Sequence, residues 1–252
     1  MAGGLKIVLS RASETPTSVQ PPLGLGYLAA VLREAGHQPV ILGPESFTAS
    51  PETFVETVRK HVPDLVGLSF LTPSLPIIRR WIAALRESTT DLPVVLGGPH
   101  TTALPLQTLQ YTGADYAVVG EGEICFCALA DALAGDSTVR LPGVVYREDS
   151  ADAIERPPLI QDLDSLPSPA WDLIQPERYP PTPHGAFFRR FPIAPVMTTR
   201  GCPFNCSFCA SAATWNRRLR RRSPENVIEE LEYLVRRHGI REIHFEDDNL
   251  TS

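Results

Sequence analysis

From Leu5 onward the chain alternates short aliphatic and β-branched runs with longer stretches whose apolar positions recur every three or four residues. The runs Lys6-Ile7-Val8-Leu9, Pro39-Val40-Ile41-Leu42, Leu65-Val66-Gly67-Leu68-Ser69-Phe70, Pro93-Val94-Val95-Leu96 and Tyr116-Ala117-Val118-Val119 predict five strands. Continuous apolar runs of this length suit strands covered on both faces. Between them, Leu25, Leu28, Ala29, Leu32 and Ala35 share one helical face, as do Phe54, Val55, Val58 and Val62, and then Ile77, Ile78, Trp81, Ile82 and Leu85. A further helix is predicted over Phe126, Leu129 and Leu133. Ser50 before Pro51 is an N-cap followed by a first-turn proline, and Gly36 suits a left-handed helix end. The pattern predicts an α/β unit with a doubly wound parallel five-stranded sheet, whose ligands sit beyond the carboxyl ends of the strands.

The pattern changes after residue 140. Val144-Val145-Tyr146 predicts a small strand, and ten of the 25 prolines lie between Pro157 and Pro195, which rules out long helix or regular sheet there. Trp171, Tyr179, Phe187 and Phe188 in this stretch are expected to be buried, making it a packed linker. An apolar strand from Ala194 to Thr198 then leads into a cysteine-bearing loop. Ser223 and Pro224 start a helix with Val227, Ile228, Leu231, Leu234 and Val235 inside, Gly239 stops it, and Glu242-Ile243-His244-Phe245 is the next strand. Strand, loop, helix, strand is the opening of a partial β/α barrel, with its chemistry at the strand ends. The expected division is residues 1–140, a linker over 141–190, and 191–252.

Composition narrows the function classes. Apolar content of 43% and charged content of 21% are those of a chain that buries a core. A net charge of −6 argues against a general nucleic-acid binder. No apolar run approaches a membrane span, no signal peptide opens the chain, and a cytoplasmic location is expected. In a reducing compartment the five cysteines read as thiols or metal ligands, with Cys125 and Cys127 as small apolar helix residues. The run Arg217-Arg218-Leu219-Arg220-Arg221-Arg222 allows three readings: an ion-paired or solvated face, an anion site, or a nucleic-acid contact.

The sharpest chemical signal is Cys202-Pro203-Phe204-Asn205-Cys206-Ser207-Phe208-Cys209. Three thiolates in a Cys-x-x-x-Cys-x-x-Cys spacing can converge on one metal centre and leave one coordination position open. A zinc knuckle completed by His184 or His244 is the alternative. The strand-end loops of the first half are glycine-rich, which lets backbone approach a ligand closely.

The cysteine spacing, with an aromatic residue before the last cysteine, resembles the radical S-adenosylmethionine (radical SAM) superfamily. The resemblance implies a 4Fe-4S cluster on Cys202, Cys206 and Cys209, whose fourth iron takes S-adenosylmethionine. Pro21-Pro22-Leu23-Gly24-Leu25-Gly26, Leu68-Ser69-Phe70, Leu96-Gly97-Gly98-Pro99-His100 and Val119-Gly120-Glu121-Gly122-Glu123, in that order, resemble the flavodoxin-like cobalamin-binding domain that precedes the radical SAM domain in one subfamily. That resemblance implies cobalamin contacts at Gly24, Leu25, Ser69, Phe70, Thr72, Gly97, Gly98, His100, Gly120, Glu121 and Gly122. It also makes Asp162 to Trp171 look like the connector between the two domains. The Asp-x-His-x-x-Gly motif of cobalamin domains with a cobalt-ligating histidine is absent, so cobalamin without a protein histidine ligand is implied, and His100 reads as a rim residue. Phe245 to Asp248 resembles the strand end of cobalamin-dependent members, implying that Phe208, Glu246, Asp247 and Asp248 bind S-adenosylmethionine.

The function implied is reductive cleavage of S-adenosylmethionine at the cluster, coupled to methyl transfer to an unactivated carbon or phosphinate of a small molecule, with an external flavodoxin- or ferredoxin-type reductant. The alternatives are ring formation or oxidation with the same cofactors, methylthio transfer, and a non-catalytic cobalamin carrier with a zinc site. Methylthiotransferases carry a second cysteine triad in the N-terminal half, where only Cys125 and Cys127 stand. Barrels of this family continue beyond the point reached at Ser252, so the chain is expected to be a truncated part of a longer enzyme.

Overall fold

The computed structural model describes residues 3–14, 20–135, 137, 140–181 and 187–251. The first strands are β1 (Lys6–Arg11), β2 (Gln38–Ile41), β3 (Leu65–Ser69), β4 (Val94–Gly97) and β5 (Tyr116–Val118), all parallel, in the order β2-β1-β3-β4-β5. The order reverses between β1 and β3, which opens a crevice at their carboxyl ends. A sixth strand, β6 (Val144–Tyr146), pairs antiparallel with β5, so the short strand expected before the proline-rich stretch is the edge of the main sheet.

Helices cover both faces. Helix α1 (Leu23–Glu34) lies on one side, and α2 (Pro51–Lys60) and α3 (Leu75–Ser88) pack together on the other. Ser50 caps α2 by accepting from the Thr53 N–H, a contact worth about 1 kcal/mol. Phe54 and Trp81 stack with ring centroids 4.0 Å apart at the centre of that layer. Val62 falls beyond the end of α2 with a positive φ of 46° and is 77% exposed, so the buried stripe of this helix stops at Val58. Two short helices without strong periodicity, α4 (Pro99–Ala103) and α5 (Pro105–Thr112), link β4 to β5, and α6 (Gly122–Ala134) follows β5.

The proline-rich stretch packs onto α1. Ala170 N–H donates to the Gly26 carbonyl at 3.0 Å, and a side chain at Gly26 would strike Ile174 in α7 (Trp171–Ile174). Trp171 and Tyr179 are buried as expected, but Phe187 is fully exposed and Phe188 meets Phe191 edge-on. The second unit holds β7 (Ile193–Val196), β8 (Thr199–Arg200), α8 (Ser211–Trp215), β9 (Arg220–Arg221), α9 (Pro224–His238) and β10 (Glu242–Phe245). Strand β10 pairs parallel with β7, while β8 and β9 pair antiparallel. Ser223 caps α9 and Gly239 ends it in the left-handed region, yet Ile228 and Val235 are exposed, and of the expected apolar stripe Val227 and Leu234 are the buried members. Ala194, Val196, Leu234 and Ile240 share one apolar core with Leu9, Leu25, Tyr27 and Phe126, so the units are welded by burial rather than tethered. No described helix is long and apolar enough to cross a membrane.

Candidate functional site

The carboxyl ends of β1, β3, β4 and β5 converge on a cavity of about 270 Å³. Gly24, Leu25, Ser69, Gly97, Gly98, Gly120, Glu121 and Gly122 line it, joined by Tyr27, Thr102 and Phe126. Glycine is required at Gly98 by a φ of +91° and by the Ser69 Oγ, which a Cβ would approach to 2.7 Å. A Cβ at Gly97 or Gly24 would meet no neighbouring atom within 4 Å, so both glycines keep the cavity open. The second unit closes it with Met197, Arg200, Thr214 and Trp215.

A cleft continues from this cavity between the two units, lined by Arg11, Gly24, Leu25, Ser69, Phe70 and Pro99 on one side and by Pro195, Met197 and Glu246 on the other. Phe70 therefore belongs to the cleft. Thr72 and His100 are placed elsewhere: Thr72 Oγ1 and His100 Nδ1 are 3.0 Å apart, and His100, in the first turn of α4, borders a separate groove with Leu104 and Tyr111. Burial lowers the His100 pKa.

Between the units lies a buried ion network that the spacing of residues along the chain did not reveal. Glu121 accepts from Arg200 Nη1 at 2.9 Å, from Arg220 Nη1 at 2.7 Å and from the Ile160 N–H at 2.7 Å. Glu123 accepts from Arg200 Nη2 at 2.6 Å. All four charged side chains are 8% exposed or less. Burial disfavours the charge on Arg200, but attraction to Glu123 and hydrogen bonds to both acids outweigh it and raise the pKa. Arg222 pairs with Glu230, which also accepts from the Trp171 indole at 2.9 Å. Of the three readings of the arginine run, ion pairing holds for Arg220 and Arg222, while Arg217, Arg218 and Arg221 are exposed. Glu121, expected as a cofactor contact, thus borders the cavity while being committed to two arginines.

The cysteine loop leaves the carboxyl end of β8. Its three thiols lie within eight residues, Cys202 half-buried and Cys206 and Cys209 exposed, and none is in a disulfide. Soft sulfur donors in this number suit an iron–sulfur cluster or zinc. Among the described residues no three His, Cys, Asp or Glu side chains stand close enough together to hold a metal ion, so Cys202, Cys206 and Cys209 share one loop without converging on one point. His184 lies outside the described residues. His244 Nε2 is 3.1 Å from Glu242 Oε1.

The acids after β10 have distinct placements. The Asp247 carboxylate takes the N–H and hydroxyl of both Thr198 and Thr199, fixing the turn between β7 and the cysteine loop. Asp248 accepts from Ser211 Oγ at the start of α8. Glu246 opens on the cleft, where crowding by protein strips water from its carboxyl and raises its pKa, against the attraction of His244 and Arg11. Phe208 is 91% exposed in the loop.

Two consequences are measurable. Asp247→Ala removes the acceptor from four donors in part-buried bonds; with water able to reach some of them and each donor left unsatisfied costing about 1–3 kcal/mol, a loss of about 3 kcal/mol is expected in urea unfolding. A loss below about 0.5 kcal/mol would show that the turn does not depend on this carboxylate. Burial first, then Glu123 and Glu121, push the Cys125 thiol up to about 11. Being exposed, Cys206 and Cys209 should react with a thiol reagent in the native chain, and the buried Cys125 only on unfolding.

The B12 binding domain family matches residues 12–130, and the radical SAM superfamily matches residues 196–251. An uncharacterized methyltransferase of Pyrococcus horikoshii is 38% identical over 92% of this chain and 49% of its own length. Cytidylyl-2-hydroxyethylphosphonate methyltransferase of Streptomyces wedmorensis is 28% identical over 92% of this chain and 51% of its own. Anaerobic magnesium-protoporphyrin IX monomethyl ester cyclase of Synechocystis is 31% identical over 95% and 47%. The chain spans about half the length of these curated relatives. Among solved structures, the methyltransferase TsrM from Kitasatospora setae superposes with a TM-score of 0.72 at 22% identity, over 96% of this chain and 47% of that one. The cobalamin-dependent radical enzyme OxsB superposes with a TM-score of 0.78 at 17% identity, over 98% and 34%. The ordered glycine loops, the cysteine triad and these matches together identify the chain as a radical SAM family protein with an N-terminal B12-binding domain.

Proposed function

We propose that this chain is the cofactor-holding part of a cobalamin-dependent radical SAM methyltransferase acting on a small molecule. The observation that carries the reading is the continuity of the glycine-lined cavity with a cleft bounded by Met197, Pro195 and Glu246 of the cysteine-bearing unit. One ligand could span both, its tail in the cavity and its ring in the cleft. The cavity residues fit cobalamin's tail: Gly24 and Gly97 leave space where side chains would stand, and Ser69 and Thr102 add polar residues to a mostly apolar lining. In number and in sulfur chemistry the donor set of Cys202, Cys206 and Cys209 suits three of the four irons of a 4Fe-4S cluster, which would draw the three thiols together on binding. When bound, the cluster supplies an electron to S-adenosylmethionine and cobalamin supplies a transferable methyl group.

The protein's part is placement and exclusion of water. Asp247 fixes the turn before the cysteine loop, and Asp248 holds the start of α8. Glu246 is the acid left facing the cleft, suited to the ammonium of S-adenosylmethionine. The exposed Phe208 ring is available to the adenine. The electron comes from a flavodoxin- or ferredoxin-type partner in the cytoplasm. Residues 1–140 serve as the cobalamin domain, 141–190 as a linker that also lends β6 to the edge of the main sheet, and 191–252 as the first part of the radical SAM domain.

The cyclase relative supports a second reading, ring formation with the same cofactors. Incubating the anaerobically reconstituted chain with cobalamin, a low-potential reductant and methyl-labelled S-adenosylmethionine separates the two. Label in the corrin-bound methyl group supports methyl transfer. Reductive cleavage without labelled corrinoid favours the second reading.

A further inference from the structure

Trp215 lines the cavity of the first unit although it belongs to the second, only six residues beyond Cys209. The segment it starts packs closely against the base of the cysteine loop. Gly201, immediately before Cys202, has a φ of +93°, and a Cβ there would lie 2.2 Å from the Arg218 carbonyl oxygen and 3.1 Å from the Trp215 Cβ. The Arg218 N–H donates to the Trp215 carbonyl at 3.1 Å, across Asn216 and Arg217, both left-handed at φ 49° and 55°. Two consecutive non-glycine residues in that region cost about 1 kcal/mol or more each, so surrounding contacts must hold this reversal in place. On its other side the Trp215 ring meets the Arg220 guanidinium at 5.6 Å, and Arg220 is bonded to Glu121 at the cavity rim.

We propose that Trp215 is a positioning residue that makes retention of the corrinoid tail depend on the state of the cysteine loop. The proposal rests on the reading of the cavity as a cobalamin-tail site. Ligation of Cys202, Cys206 and Cys209 fixes both ends of the loop that begins against Trp215 and leads into α8. The ring is then held as a rigid wall of the cavity, and ordering at one site lowers the ordering cost at the other. Coupling of this kind is reciprocal: tail binding tightens the hold on iron by the factor by which iron tightens the hold on the tail.

The test is equilibrium dialysis of hydroxocobalamin, and of cobinamide, which lacks the nucleotide tail, against the full chain with and without anaerobic loading of iron and sulfide. The wild type should bind hydroxocobalamin about tenfold tighter when loaded, within the range usual for coupled sites. Cobinamide should show no such difference. Trp215→Ala should abolish the gain, Trp215→Phe should keep most of it, and circular dichroism should report both variants folded. In the reverse direction, hydroxocobalamin should slow iron loss to a chelator in the wild type but not in Trp215→Ala. Equal hydroxocobalamin affinity in the two states, or a gain that survives Trp215→Ala or appears with cobinamide, overturns the proposal. A folded, loaded wild type that binds no hydroxocobalamin overturns the tail-site reading itself, and the proposal with it.

Discussion

Glu121→Ala is expected to cost about 3–5 kcal/mol of stability, the range for breaking a buried ion pair by removing one partner. The substitution strips Arg200 and Arg220 of their shared carboxylate while both guanidiniums stay buried. Glu123 can still pair with Arg200, so the larger part of the loss falls on Arg220. The Ile160 N–H also loses its acceptor. Because these groups come from α6's start, the proline-rich stretch, β8 and β9, the damage concentrates where the two units meet. Urea unfolding should show a lower midpoint, and proteolysis should gain access to the 150s and to the cysteine loop. Glu121→Gln, which keeps the shape but not the charge, should fall between. A change under about 1 kcal/mol for the alanine variant would mean that water replaces the carboxylate and that the network is not sealed.

Gly97→Leu is expected to weaken cobalamin binding by at least about a hundredfold, or about 2.7 kcal/mol, while leaving unfolding stability within about 1 kcal/mol of wild type. Gly97 ends β4 with no positive φ, and its missing side chain points into open cavity rather than into packed atoms. A leucine there occupies the space assigned to the ligand without straining the backbone. Gly98→Leu is the informative contrast. Its φ of +91° and the Ser69 and Phe70 atoms within about 3 Å of a Cβ make that variant unstable as well as unable to bind. Isothermal titration with hydroxocobalamin, paired with urea curves, separates the two cases. Undiminished binding by Gly97→Leu would place the ligand outside this cavity.

Local chemistry made most of the first unit readable. The five parallel strands followed from continuous aliphatic runs, and Ser50, Ser223 and Gly239 act at helix ends as their residue types require. Helices α4 and α5 were not legible because both are short, each starts at a proline, and neither carries a long apolar stripe. Exposure of Ile228 and Val235 shows where helical periodicity outruns burial: a residue can hold the right phase and still have nothing packed over it, whereas Val62 is exposed because the helix has already ended. Phe187 fails for the same reason, its aromatic character giving no partner on its own. The ion network was invisible because Arg200 and Arg220 find Glu121 across 79 and 99 residues, and charged residues alone read as surface. Trp215 and Met197 were missed as cavity residues because their role depends on how the second unit is laid against the first. The family match over the loop of the cysteine triad was legible in the sequence, since its information lies in spacing within a single loop.

Anaerobic reconstitution with iron and sulfide, followed by electron paramagnetic resonance of the reduced chain, addresses that triad most directly. We expect about four irons per chain and a reduced-cluster signal that shifts when S-adenosylmethionine is added, as an open iron position requires, with both lost in Cys206→Ala. A wild-type chain that takes up one zinc in place of iron, or a cluster signal indifferent to S-adenosylmethionine, would contradict the assignment of Cys202, Cys206 and Cys209 to a three-cysteine cluster with one iron left free.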